Sequence, residues 1–293
     1  MTPYPADLDR WRTAARISAR ARDLGVRSIA PGVERRAVAD KIESFIRSQG
    51  AEPAFPANLS RNVEAAHYTP SIDDTVTFDE GDLVKVDVGA HIEGAIADTA
   101  ETVEVGGTRR HENLKRAADE AVMAAIAQVR PGGAIDDVSR AIEATIHARG
   151  FRPIQDLTGH KIDRYMLHAH KSVPNVGGMT GERFEEGEII AIEPFATNGI
   201  GHIDNGPFGN IQRFRRDPGS SEPVLARLFS RFRTLPFTAR WCAEPAEQEA
   251  LRGARKHLQL YPIFLERAGG IVAQAEHTIL VGPNRAEILT ARD

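Results

Sequence analysis

The chain has 293 residues, 41% hydrophobic and 27% charged, with a formal net charge of -4. That is the composition of a soluble globular protein, long enough for one large domain or two modest ones. Its charge gives no reason to expect nucleic acid or an anionic membrane as the main partner, and its single cysteine, Cys242, excludes an internal disulfide and suits a reducing compartment.

Met1 to Pro5 carry no basic region followed by an apolar run, and no stretch approaches about 18 apolar residues. Neither a signal peptide nor a transmembrane helix is expected. A short tail over residues 1–9 leads into a first helix, roughly Leu8 to Leu24. Pro31-Gly32 then opens a segment with Val38, Ile42 and Ile46 on one helical face, Glu43 beside them, and Gly50 and Pro53 after its end. One hundred residues later Pro131-Gly132 opens a segment with Val138, Ile142, Glu143, Ile146, Gly150 and Pro153. A second pair follows in the same order. Phe78-Asp79-Glu80-Gly81-Asp82 leads into a β-branched run ending at Asp87, and Phe184-Glu185-Glu186-Gly187-Glu188 leads into one ending at Glu193. Each reads as a turn into a strand. The collinear pairs imply a duplicated unit over residues 30 to 200, two halves related by a pseudo-twofold axis around a cleft. Residues 204–262 match nothing earlier and read as a helical insertion within a single catalytic domain spanning 1–293. Its helices are expected around Leu225 to Phe232 and from Pro245 to Leu260. The chain returns to a strand from Gly270 to Val281.

Chemistry concentrates at the strand ends. Glu93-Gly94 fits a two-residue hairpin turn. Ile92 then pairs with Ala95 and Gly89 with Asp98, which puts Asp87 and Asp98 diagonally on one sheet face, about 7–8 Å apart at the backbone. Valines 84, 86 and 88 cover the other face. Two carboxylates on a half-buried face repel unless a cation lies between them. His160 follows Gly159 near the second repeated helix. Glu193 ends an apolar strand, and Glu276 sits inside another, where a carboxylate is unusual unless paired or bound to metal. Asp87, Asp98, His160, Glu193 and Glu276 form a donor set suited to two hard or borderline divalent ions. His67 and His168 occupy matching places in the two halves, which favours a shared role at the cleft. Cys242, His91, His111, His147, His202 and His257 read as structural or surface residues, and His277 should point away from any metal.

These segments together resemble the type II methionine aminopeptidases in their short, archaeal-like form. Ala54-Phe55-Pro56-Ala57-Asn58-Leu59-Ser60 with Ala65-Ala66-His67-Tyr68-Thr69-Pro70 is similar to the family's N-terminal block. Asp87 to Ile92 with Ala97 to Ala100 resembles its paired-aspartate hairpin. Leu157 to His160, with His168 and Val173-Pro174-Asn175, resembles its histidine block. Ile192 to Thr197 and Glu276 to Leu280 resemble its two glutamate strands. The resemblance covers nearly the whole chain. It implies an α/β pita-bread fold, two halves around a dinuclear metal site, with Asp87, Asp98, His160, Glu193 and Glu276 as ligands. The metal would be Co2+, Mn2+, Fe2+ or Zn2+, which the sequence does not distinguish.

The implied activity is removal of the initiator methionine when the second residue is small, by a metal-bridging water or hydroxide. Glu193 would be both ligand and proton shuttle, and His67 and His168 would lie beside the scissile peptide. Phe55, Leu167 and Phe195 would line the methionine pocket. Implied substrates are N-terminal peptides and nascent chains. Contact with the ribosome is left open, and a cytoplasmic monomer needing no nucleic acid, membrane or partner protein is expected. Two places depart from the family's usual pattern: His170 stands where glycine is usual, and Lys161-Ile162-Asp163-Arg164 is an uncommon filling. An Xaa-Pro aminopeptidase or prolidase of the same fold is the nearest alternative. A metal-free binding module is opposed by the complete ligand set.

Overall fold

A computed structural model of the chain describes residues 4–292. The tail expected over residues 1–9 therefore lies partly outside the described residues. Four helices belong to the two halves: α1 (Leu8–Ser28), α2 (Arg35–Ser48), α3 (Glu112–Ile126) and α4 (Ile135–Ala148). Helix α1 runs past its expected end at Leu24, because Gly25 is there for close packing and not as a stop. A Cβ on it would lie 2.7 Å from Ile42 and 2.8 Å from Val86.

The repeated helices are alike in detail. Val38, Ile42 and Ile46 of α2, and Val138, Ile142 and Ile146 of α4, are each no more than 1% exposed. Burial of each such side chain contributes about 1.5–3 kcal/mol. Both helices close on a glycine at φ 79°, Gly50 and Gly150, the left-handed position where a side chain would be strained. Gly50 donates to Arg47 O at 3.1 Å and Gly150 to His147 O at 2.9 Å.

The first half supplies β1 (Glu52–Pro53), β2 (Asn58–Arg61), β3 (Glu64–Ala66), β4 (Leu83–Ile92) and β5 (Ala95–Glu104). The second supplies β6 (Arg152–Pro153), β7 (Thr158–Ile162), β8 (Ser172–Pro174), β9 (Ile189–Ile192) and β10 (Phe195–Thr197). Later come β11 (Ile203–Phe214), α5 (Pro223–Phe232), α6 (Pro245–Gly253), β12 (Leu258–Glu266), β13 (Val272–Val281) and β14 (Ala286–Ile288). The main sheet runs β1-β4-β5-β13-β9-β7-β8. Strand β13 thus joins the halves, pairing β5 on one side and β9 on the other.

The duplication extends beyond residue 200, where the sequence pattern appeared to stop. Gly81 N donates to Val105 O and Gly187 N to Val281 O. Val105 N returns to Asp82 O, and Val281 N to Glu188 O. Strand β13 is therefore the counterpart of β5, displaced in sequence by the inserted residues.

The insertion is not wholly helical. Its two helices are carried on the long strands β11 and β12, which form a three-stranded sheet with β3. The helix expected from Pro245 to Leu260 stops at Gly253, and residues from Leu258 become strand because β11 and β3 offer backbone partners. Phe214, Phe232 and Phe237 build the small core there, with Phe232 and Phe237 stacked at 4.3 Å. A buried clamp ties this unit to the first half. Arg240 donates to both oxygens of Glu43 at 2.7 and 2.8 Å, and Trp241 Nε1 donates to Glu43 at 2.7 Å. Glu43 also accepts from Ala57 N at 3.2 Å, next to the segment that opens β2.

Candidate metal centre

The β4–β5 hairpin closes on Glu93 (φ 49°) and Gly94 (φ 87°), the positive angles of a type I′ turn. Its register is Ile92 with Ala95, Gly89 with Asp98 and Asp87 with Ala100. Asp87 and Asp98 therefore share one face as diagonal neighbours. Glu276 pairs with Ala100 from the other side. His160 on β7 reaches the same face across β9, through Ala191 and Thr278. Glu193 directly follows β9.

The side chains converge. His160 Nε2 lies 3.4 Å from Glu193 Oε1 and 3.8 Å from Asp98 Oδ2. Among the described residues, donor atoms of Asp98, His160 and Glu276 all lie within 4.8 Å of one another. Asp87 stands within hydrogen-bonding reach of Asp98. Burial pushes the Asp87 carboxyl up to about 7. Burial, reinforced by neighbouring carboxylates, also raises Asp98, Glu193 and Glu276 well above their ordinary range. Burial pushes His160 down to about 4, so near neutral pH its ring is uncharged and keeps a lone pair to donate.

These residues fit a divalent metal. Buried oxygens of Asp87, Asp98 and Glu276 have no hydrogen-bond partner, although buried polar atoms are ordinarily satisfied. Four carboxylates and one imidazole suit Mn2+, Fe2+, Co2+ or Zn2+ chemically.

The centre opens into a cavity of about 330 Å³. Asp87, Asp98, His160 and Glu193 line it, with His67, His168, Phe55, Leu167 and Phe195. All the site residues picked out in the sequence thus gather at this cleft, Glu276 standing behind the others. His67 adopts φ 68° just after β3, and its Nδ1 lies 3.2 Å from Pro262 O. A carbonyl oxygen only accepts, so Nδ1 carries the proton and Nε2 is left as an acceptor. Burial lowers His67 to about 4, which keeps that form at neutral pH. The His168 ring is open to the cleft, its centroid 4.4 Å from that of His160. Desolvation by the surrounding cleft walls, then the His160 and His67 rings and Arg213, hold it well below its ordinary value.

The two departures from the family pattern do not alter the cleft. His170 is exposed, Lys161 turns to Asp163 and Glu188, and Arg164 pairs with Asp7. His277 faces away from the centre, with Nδ1 3.0 Å from Thr290 Oγ1. The sequence reading missed Gln274, whose Nε2 lies 3.4 Å from Glu276 Oε2. Its position two residues before Glu276, on the same strand face, was the available signal. It also missed the cleft wall supplied by β11 and β12: Ile211, Gln259, Tyr261 and Phe264. No motif marks these.

Residues 9–283 match the model of metallopeptidase family M24. A methionine aminopeptidase of Methanocaldococcus jannaschii is 39% identical over 284 residues, covering 94% of this chain and 96% of its own. The crystal structure of the methionine aminopeptidase of Thermotoga maritima superimposes with a TM-score of 0.74 at 26% identity, covering 98% of each chain. A structure described as a thermophilic Arx1 superimposes with a TM-score of 0.85, covering 99% of this chain and 93% of its own, but at 16% identity it shows the fold alone. With that match along its length, the chain belongs to metallopeptidase family M24, among its methionine aminopeptidases of pita-bread fold.

Proposed function

We propose that this protein removes the N-terminal methionine from peptides and nascent chains whose second residue is small, using two divalent ions held by Asp87, Asp98, His160, Glu193 and Glu276. The observation that carries the reading is the meeting of these five side chains, from both halves: Asp87, Asp98, His160 and Glu193 on the wall of a cavity also lined by Phe55, Leu167 and Phe195, and Glu276 beside Asp98 and His160 behind it. When bound, divalent ions at such a centre supply Lewis-acid polarisation of a carbonyl and a nucleophile usable at neutral pH.

The chain's own groups do the rest. Glu193, raised by burial, takes the proton of the attacking water and returns it to the departing amine. His67 Nε2, an acceptor, receives the N–H of the scissile amide and fixes its orientation. His168, open to the cleft, offers its N–H to the carbonyl oxygen as negative charge develops there. Phe55, Leu167 and Phe195 take up the methionine side chain. Tyr261 and Phe264 crowd the far side, their rings 5.2 and 4.5 Å from that of His67, so a bulky second residue would collide with them.

All five donors come from one chain, so the proposed centre needs no residue of a second copy; a monomer as the working unit is tested by sizing the metal-loaded protein. The single buried cysteine supports a cytoplasmic location. No helix of the described residues is long and apolar enough to cross a membrane. Ribosome contact is tested separately, by cosedimentation with translating ribosomes.

The deciding experiment strips the protein with chelator and restores Mn2+, Co2+, Fe2+ or Zn2+. Methionine release is then followed from Met-Ala-Ser, Met-Lys-Ser and an Xaa-Pro peptide. Metal-dependent cleavage of Met-Ala-Ser alone is expected. Cleavage of the Xaa-Pro peptide instead would move the chain to the proline-specific branch, and no cleavage by metal-loaded protein would overturn the reading.

A further inference from the structure

Arg213, a cation beside the cleft, takes no part in the chemistry above. It stands on β11 directly opposite Gln259 on β12. Cross-strand partners share a face, as do residues two apart on a regular strand, so Arg213 lies on the face of Gln259 and Tyr261. Ile211, Gln259 and Tyr261 all line the cavity. Phe214, the next residue, turns instead into the core of the insertion.

The guanidinium is held in place. Arg213 Nε and Nη2 both donate to Gln259 Oε1, at 3.1 and 2.9 Å. That shared bond fixes the plane of the fork and consumes the acceptor of the amide. Among the described residues, Arg213 Nη1 and Gln259 Nε2 keep unspent donors, and no carboxylate pairs with the cation. Its charge is felt in the cleft: after burial and the neighbouring rings, it helps depress His168, and it opposes the burial-driven rise of the Tyr261 phenol.

Position along β12 says what would meet this pair. Pro262, bonded to His67, lies beside the proposed scissile bond, and Gln259 stands three residues before it on β12, still on the cavity wall. Three residues of strand span about 10 Å. An extended substrate covers the same distance with two or three residues beyond the cleaved bond. We propose that Arg213, steadied by Gln259 as a positioning residue, binds a carboxylate on the third or fourth residue of the substrate, either an acidic side chain or the C-terminus of a short peptide. The inference rests on the proposed exopeptidase activity.

The test uses metal-loaded enzyme and four tetrapeptide amides: Met-Ala-Asp-Ala, Met-Ala-Ala-Asp, and their lysine counterparts. Met-Ala-Ser is compared as free acid and amide. At low salt the enzyme should favour at least one acidic member about fivefold, chiefly through KM, and added salt should erase the preference. Arg213→Met should abolish the ratio and Arg213→Lys should retain part of it. Preference confined to the free-acid tripeptide would support the site and assign it to a terminal carboxylate. A wild-type enzyme that does not discriminate, or an Arg213→Met variant with the ratio intact, overturns the proposal while leaving the activity standing. Release from none of the peptides overturns the activity, and this proposal with it. If Arg213→Met fails to fold, Arg213→Gln carries the same test, and an intact ratio in it overturns the proposal.

Discussion

The hydroxyl of Thr278 serves both backbone groups of Asp98: it accepts from Asp98 N at 2.8 Å and donates to Asp98 O at 2.7 Å. One side chain thus stands in for a ladder pair between β5 and β13. Thr102 does the same for Gln274, donating to its O at 2.6 Å and accepting from its N at 2.8 Å, and Thr99 donates to Glu276 O at 2.8 Å. These threonines set the spacing of Asp98 and Glu276 across the joint between the halves. Thr278→Val keeps the shape and leaves two buried backbone groups unsatisfied, costing about 2–4 kcal/mol. Metal affinity should fall about tenfold or more. Thermal unfolding and metal titration by calorimetry would show both, and unchanged metal affinity would refute the spacing role.

Glu193→Gln removes the proposed proton carrier while preserving volume. Turnover should fall about 10²–10⁴-fold, metal affinity should weaken, and the fold should persist. Stopped assays of methionine release beside circular dichroism would check this. Turnover near the wild-type level would contradict the assigned role.

His91 makes a pH prediction away from the centre. Its Nδ1 accepts from Gly94 N at 3.2 Å, and burial lowers it to about 4. The native state therefore holds it neutral, while the unfolded state takes up a proton below about pH 6.5. The unfolded state binds more protons between those values, so this contribution to stability is lost as pH falls from 6.5 toward 4. Without metal the raised carboxylates, Asp87 among them, act in the opposite sense, losing stability as pH rises. Comparing wild type with His91→Gln cancels that background. The variant should lose less stability between pH 7 and pH 5, measured by urea unfolding. An identical loss would show that His91 does not titrate across the transition.

The Arg240–Glu43 clamp is a buried pair, with Arg240 7% and Glu43 2% exposed at the side chain. Arg240→Met leaves the carboxylate without its cation and should destabilise the protein by about 3–5 kcal/mol. Glu43 also holds Ala57 N, so the Phe55 wall of the cleft should loosen and KM should rise. Urea unfolding with steady-state kinetics would test both, and stability unchanged within error would count against the clamp.

The site was more legible in the sequence than the wall around it. Asp87 and Asp98 were readable because a two-residue turn fixes strand register, and register fixes which side chains share a face. Glu193 and Glu276 stood out because a carboxylate inside an apolar strand needs a partner. Gly50 and Gly150 announced the repeat because both helix ends require a left-handed residue. Tyr261, Gln259 and Arg213 carried no such mark. Their position depends on β12 pairing with β11 and β3, a long-range contact that overrode the helical pattern running to Leu260. The end of the repeat was misplaced for a related reason: the insertion pushes β13 out of register with its counterpart β5.

The central place of β13 has a consequence for how the protein matures. It is the last long strand in sequence, buried along nearly its whole length, and flanked by strands made much earlier. Until it is synthesised, β5 and β9 each present an open edge to other chains. The pairing that closes them spans most of the polypeptide, and such long-range pairing is slow. A partly made chain lacks Glu276 and the joint between halves. The growing protein is therefore without one carboxylate of the proposed centre, and at its most prone to aggregate, until this strand slots into place.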